Sequence, residues 1–263
     1  MTLSYKGIKI KYQCSGKGKP IVFLHGFLEN SEMWDSIISE LPELRCIAID
    51  LLGHGETGNL GYVHTMKEMA DCVMTVLNSL EVRSAIFVGH SMGGYVSLEI
   101  VNNYKNLVDG LLLLNSTSFP DSEERKFSRE RAIDIVKKNP NAYTSMAIAN
   151  LFAPENRLTF DVEIQKIKIE ASKTTLQGII SALEGMKVRE DHLQTLKSFR
   201  KHKIIFAGTK DPVLDFSQSQ EESELSQTEL ISFDGGHMTY LENSVEFLTK
   251  LKAFISEVNV MRQ

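Results

Sequence analysis

The chain has 263 residues, of which 42% are apolar and 24% charged, with a formal net charge of −5 at pH 7. This composition supports one large core and excludes a disordered or low-complexity chain; its acidic balance gives no electrostatic footprint for nucleic acid or an anionic membrane surface. Cys14, Cys46 and Cys72 are odd in number, far apart and free of C-x-x-C spacing, which indicates neither a disulfide framework nor a zinc site and suits a reducing, cytoplasmic setting.

The stretch from Met1 to Gly7 has no apolar segment behind a basic one, so no targeting segment is expected. Ile8-Lys9-Ile10-Lys11-Tyr12 alternates apolar and polar side chains, and Gly16 and Gly18 turn it into the apolar run from Ile21 to Leu24, an antiparallel entry into a sheet. Further short apolar runs lie at 46–49, 85–88, 111–114, 204–207 and 229–233, several of them separated by helical patterns. Continuous rather than alternating runs mark strands covered on both faces, as in a mostly parallel sheet between layers of helices. The expected class is therefore α/β. None of these runs is long enough to span a bilayer. From Leu114 to Ile204 the period becomes helical, with helices expected at 128–138, 141–152, 161–172 and 174–184 and a closing helix at 244–258. Residues 117–187 are read as a helical cap inserted into a core formed by 1–116 and 188–263. Phe119, Phe127, Tyr143, Met146, Leu151, Phe152 and Met186 supply its apolar side chains, most of them packing and a minority expected to line a pocket.

The chemistry-bearing signal is Gly89-His90-Ser91-Met92-Gly93, set between the apolar run 85–88 and a helix-compatible stretch. A serine on a sharp strand-to-helix turn has a strained backbone and needs small residues two before and two after it, and both are glycine. Ser91 is the candidate nucleophile. A serine hydroxyl needs a base, and the base an orienting acid. His237 lies just past the last strand run, and Asp211 just past the run 204–207, both where a parallel sheet places its sites. Asp215 and Asp234 compete for the acid role, but Asp215 lies further from the strand end and Asp234 beside His237 itself; the strand ending at Asn115 offers no carboxylate. His25, His54, His64 and His90 read as ordering loops near the serine, and His192 and His202 as surface residues. Negative charge on a tetrahedral intermediate needs two N–H donors, expected from Met92 in the turn and from Phe27 in the loop His25-Gly26-Phe27.

Gly53-His54-Gly55-Glu56-Thr57-Gly58 matches G-x-G-x-x-G but runs into loop-like sequence instead of opening a helix, so it is not read as a dinucleotide site. No phosphate loop or metal-ligand spacing occurs, and no cofactor or metal is expected. Arg125, Lys126, Arg129 and Arg131 are read as a solvated helix face, with recognition of a substrate carboxylate as the alternative.

Taken together, His25-Gly26-Phe27, Asp50-Leu51-Leu52-Gly53-His54-Gly55, Gly89-His90-Ser91-Met92-Gly93-Gly94, Gly208-Thr209-Lys210-Asp211 and Gly236-His237 resemble the α/β-hydrolase superfamily, in its branch of small capped serine hydrolases. The resemblance implies a mostly parallel eight-stranded sheet with a helical cap, and a triad of Ser91, Asp211 and His237 with Phe27 and Met92 as the oxyanion hole. Thr57 stands where the family often has serine. Serine instead of aspartate at 91 argues against the haloalkane dehalogenase and epoxide hydrolase relatives. The expected activity is cleavage of a small carboxylic ester or lactone. The alternatives are cofactor-free C–C hydrolysis or elimination on an acidic metabolite, and a ligand sensor that retains the triad. The expected partner is a small ester-like molecule, not nucleic acid or membrane, and a monomer is the default.

Overall fold

The computed structural model describes residues 1–260. β1 (Thr2–Tyr5) and β2 (Ile8–Ser15) form a hairpin, followed by β3 (Pro20–Leu24), the short α1 (Asp35–Ile38), β4 (Arg45–Ile49), α2 (Met66–Ser79), β5 (Ala85–His90), α3 (Met92–Asn103) and β6 (Val108–Leu114). Four helices then intervene, α4 (Glu123–Lys138), α5 (Pro140–Ala149), α6 (Asp161–Ala171) and α7 (Leu176–Lys187). The chain returns through α8 (Leu193–Ser198), β7 (His202–Gly208), α9 (Phe216–Ser226), β8 (Glu229–Phe233), α10 (Thr239–Glu242) and α11 (Ser244–Val260).

Among the described residues all eight strands join one sheet in the order β1-β2-β4-β3-β5-β6-β7-β8. The β1/β2 and β2/β4 pairs are antiparallel, and every pair from β4/β3 onward is parallel. The class and sheet expected from the sequence are those observed. Side chains alternate across the pleat. Val22, Leu24, Phe87, Leu111, Leu113 and Ile205 face one layer of helices with Val73 and Val96 from α2 and α3. Ile21, Phe23, Ile86, Val88, Leu112 and Phe206 face the other, with Trp34 and with Phe247, Leu251 and Phe254 from α11. Every residue of β5 and β6 is buried, which is why those runs read as continuously apolar.

β1 has no counterpart in the sequence reading, because its only apolar side chains are Leu3 and Tyr5 and its place is fixed by pairing Leu3 with Ile10. α4 begins at Glu123 rather than 128, since the Ser122 side chain accepts from the Arg125 N–H and starts the helix a turn earlier. The surface placement of two histidines is corrected: His192 is buried against Glu99 at 3.2 Å, and His202 stacks on Phe254 and pairs with Glu257. Among the described residues no helix is long and apolar enough to cross a membrane.

Parallel pairing puts the C-terminal ends of β3, β5, β6, β7 and β8 on one edge, with Leu24 opposite Gly89, His90 opposite Leu114, Leu114 opposite Phe206 and Gly208 opposite Phe233. The loops leaving that edge carry Phe27, Ser91, Asn115, Asp211 and His237, so residues far apart in sequence meet there.

Candidate active site

Ser91 occupies the single step between β5 and α3, with φ 49° and ψ −115°, a left-handed backbone that a non-glycine residue holds only under constraint. Two contacts enforce it. A Cβ on Gly89 would lie 2.5 Å from the Gly93 carbonyl oxygen, and one on Gly93 would lie 2.3 Å from the Leu24 carbonyl oxygen, so neither position admits a side chain. The Ser91 N–H donates to the Leu114 carbonyl at 2.9 Å, and the Ser91 carbonyl accepts from the Ser116 hydroxyl at 2.8 Å, tying the turn to the end of β6.

The side chains of His237 and Asp211 are each 2% exposed, and His237 Nδ1 lies 2.7 Å from Asp211 Oδ2. The carboxylate is fully engaged. Oδ2 also accepts from Asn115 Nδ2 at 3.0 Å, while Oδ1 accepts from the Val213 and Leu214 N–H groups at 2.7 and 3.0 Å. Burial alone would raise the Asp211 pKa; the adjacent His237 and these hydrogen bonds outweigh it and hold the group below the usual carboxylate range. The two sequence competitors are spent elsewhere, Asp215 capping α9 through the Ser217 N–H and Asp234 paired with Lys210 at the surface. Asn115 carries no carboxylate, and for that reason it escaped the sequence reading. Its amide also donates to the Gly236 carbonyl, joining the acid loop to the base loop.

The loop bearing His237 is fixed from the side of the inserted helices. The His237 N–H donates to the Leu151 carbonyl at 2.7 Å, and Glu242 accepts from Gly236, Ala153 and Asn156.

Ser91 and His237 line one cavity of about 70 Å³ together with Phe27, Tyr95, Arg125 and Arg129. It leads to a wider outer pocket of about 1320 Å³ between α4, α5 and the acid loop. Of the apolar residues assigned to the insertion, Leu151 and Met186 reach the inner cavity, Phe119, Tyr143 and Met146 line the outer pocket, Phe152 is core and Phe127 is exposed. Phe27 sits in the loop after β3, and Met92 opens α3, whose first N–H groups have no acceptor within the helix.

A second buried pair adjoins the serine. His90 Nδ1 lies 2.7 Å from Glu29 Oε2, and His90 Nε2 lies 2.9 Å from the His237 carbonyl oxygen. Both neighbours only accept, so both ring nitrogens must carry protons and His90 is an imidazolium. Burial opposes that charge, but Glu29 overrides it and raises the His90 pKa; reciprocally, His90 lowers that of Glu29 against its own burial. Glu29 Oε2 also accepts from the Gly26 N–H at 2.7 Å, which bends the loop carrying Phe27. His25 is the opposite case. Its Nε2 accepts from the Leu51 N–H and its Nδ1 faces the Gly26 carbonyl, so it is neutral, and burial lowers its pKa. His54 is buried as well, its pKa pushed down to about 3.

The glycine-rich loop 53–58 folds over the Asp50 carboxylate, which accepts from the Ser31 and Glu56 N–H groups. A Cβ on Gly55 would lie 2.0 Å from Asp50 Oδ2, so an acid fills the space that a phosphate would need.

A family model described as the alpha/beta hydrolase fold matches residues 19–161. A putative non-heme haloperoxidase of Mycobacterium phage D29 is 33% identical over 239 residues, covering 88% of this chain and 85% of that protein. Among solved structures, a thermophilic esterase from Thermogutta terrifontis superposes with a TM-score of 0.90 at 26% identity, covering 98% of this chain and 97% of that one. The enol-lactonase from Burkholderia xenovorans LB400 superposes with a TM-score of 0.90 at 18% identity, covering 97% of this chain and 100% of that one, a likeness of fold alone.

Proposed function

The chain belongs to the α/β-hydrolase family, and from that premise we propose that it is a serine hydrolase that cleaves a small carboxylic ester or lactone through an acyl-enzyme on Ser91. The observation that carries this reading is the Asp211–His237 hydrogen bond at 2.7 Å on the same cavity as a serine held at φ 49°. With Nδ1 engaged by the ionised Asp211, His237 has Nε2 left to take the Ser91 proton as the oxygen attacks the substrate carbonyl. The N–H groups of Met92 and Phe27 receive the developing oxyanion. His237 returns its proton to the leaving oxygen, then deprotonates the water that releases the acid, and Ser91 regains its proton. Residues 117–187 act as the cap, their Leu151 and Met186 closing the cavity over the serine.

The test is hydrolysis of p-nitrophenyl esters of graded acyl length by the wild type beside Ser91→Ala. Turnover is expected to fall by more than about a thousandfold in the variant, with its melting temperature retained. Wild-type turnover that Ser91→Ala matches overturns the reading.

A further inference from the structure

Three guanidinium groups converge on one carboxylate beside the cavity. Asp121, its side chain wholly buried, accepts hydrogen bonds from Arg129 and Arg189 and stands 3.6 Å from Arg125 Nε. One carboxylate offsets one positive charge, so an excess of two remains.

That excess is not spread evenly. Arg189 is structural: it also donates to the Phe119 and Met186 carbonyls, and its guanidinium lies 4.2 Å over the Tyr95 ring. Arg125 and Arg129 stand one turn apart on α4 and share a face, and both line the cavity that holds Ser91 and His237. Arg125 Nη1 donates to the Val213 carbonyl at 2.7 Å, but its buried Nε has no hydrogen-bond partner among the described residues. The other two residues of the basic segment differ, Lys126 pairing with Glu123 and Arg131 lying exposed, so the reading of Arg125, Lys126, Arg129 and Arg131 as one solvated face is corrected for Arg125 and Arg129. The acid on the cavity wall, Glu29, is already matched by His90. Glu124, Asp215 and Glu221 lie on the exposed wall of the outer pocket and do not line the inner cavity.

We propose that Arg125 and Arg129 form an anion subsite of the active centre that holds a carboxylate on the substrate. The substrates are then esters or lactones of acids that carry a second, ionised carboxyl group. A planar guanidinium fork matches a carboxylate in shape as well as charge, and the partly buried site strengthens the contact relative to water. The proposal rests on the ester-cleaving reading and deepens it by naming the acyl group.

The experiment compares p-nitrophenyl half-esters of the four- to six-carbon straight-chain diacids with the neutral esters of matched length, Ser91→Ala serving as the blank for spontaneous hydrolysis. The quantity read is the ratio of kcat/KM, anionic over neutral. It is expected to exceed one in the wild type and to fall by about tenfold to a hundredfold in Arg125→Gln, mainly through KM, with partial recovery in Arg125→Lys. Melting curves establish that the variants fold; Arg125 is the position chosen because its contact with Asp121 is the longest of the three. A wild type that hydrolyses neutral esters as well as or better than half-esters overturns the anion subsite and leaves the Ser91 mechanism standing. A folded wild type that cleaves neither series overturns the mechanism instead. Calorimetric titration of wild type and Arg125→Gln with free glutarate then decides the subsite by itself: binding that depends on Arg125 supports it, and no binding overturns it.

Discussion

Replacing Glu29 by glutamine isolates the charge of the buried Glu29–His90 pair without changing its shape. The glutamine carbonyl can still accept from Gly26 and His90, both at 2.7 Å in the wild type, but no negative charge then faces the imidazolium. If His90 stayed charged, the loss would approach the ~3–5 kcal/mol of a broken buried pair. His90 has an escape, which is to release a proton. That leaves one ring nitrogen without hydrogen opposite an acceptor, at a cost of about 1–3 kcal/mol. The expected destabilisation at pH 7 is therefore about 1–3 kcal/mol, set by this cheaper route, or about 2–12 °C in melting temperature for a chain of this size. The pH dependence follows from the directions of the two shifts. His90 is raised above its ordinary 6.5, so its contribution is complete below that value and is lost as pH rises through the folded pKa. Glu29 is lowered from its ordinary 4.5, so its contribution is present above that value and is lost as pH falls through the folded pKa. The wild type should exceed Glu29→Gln most between those two ordinary values, and the gap should narrow on the alkaline side. Urea and thermal melts of both proteins from pH 5 to 9 measure it. Coincident midpoints at pH 6, or a gap that widens as pH rises, would refute the assignment of His90 as an imidazolium.

Asp211→Asn keeps the size of the acid but can donate to His237 Nδ1 and hold the wrong tautomer, so kcat on a good ester should fall by about 10³–10⁴; a loss below tenfold would remove Asp211 from the acid role. Asn115→Ala deletes the 3.0 Å bond to Asp211 and should lower kcat about tenfold with KM little changed, and an unaltered kcat would show that the amide orients nothing. Ser91→Gly should be more stable than Ser91→Ala by about 1 kcal/mol, because glycine alone relaxes at φ 49° and ψ −115°; equal urea midpoints would mean that the turn stores no strain. Gly93→Ala should cost at least about 2 kcal/mol, since its Cβ would meet the Leu24 carbonyl oxygen at 2.3 Å, and a wild-type midpoint would contradict that close approach.

Much of the candidate site was legible because strained or terminal positions leave marks in sequence. Ser91 announced itself through the glycines on either side, which the turn requires whatever surrounds it. Asp211 and His237 were legible for a different reason: parallel strands align their ends, so a residue just past an apolar run lies at the same edge as any other. Nothing comparable marks Asn115, whose amide matters only through what it meets. Nor does a sequence show that Glu29 and His90, 61 positions apart, share a proton-rich contact beneath the cavity.

The sequence by itself determined the class of fold, the order along the chain of every strand but β1 and the residues at their C-terminal ends, because apolar periodicity and turn chemistry are local properties. Tertiary structure decided how α4 lies beside the cavity. Helical spacing alone places Arg125 and Arg129 on one face and Arg131 on another, but which face covers the serine depends on the docking of the whole insertion. Docking of that kind sums many contacts at long sequence separation. It also decided which histidines are charged, since a ring nitrogen takes its proton according to the donor or acceptor that folding sets against it.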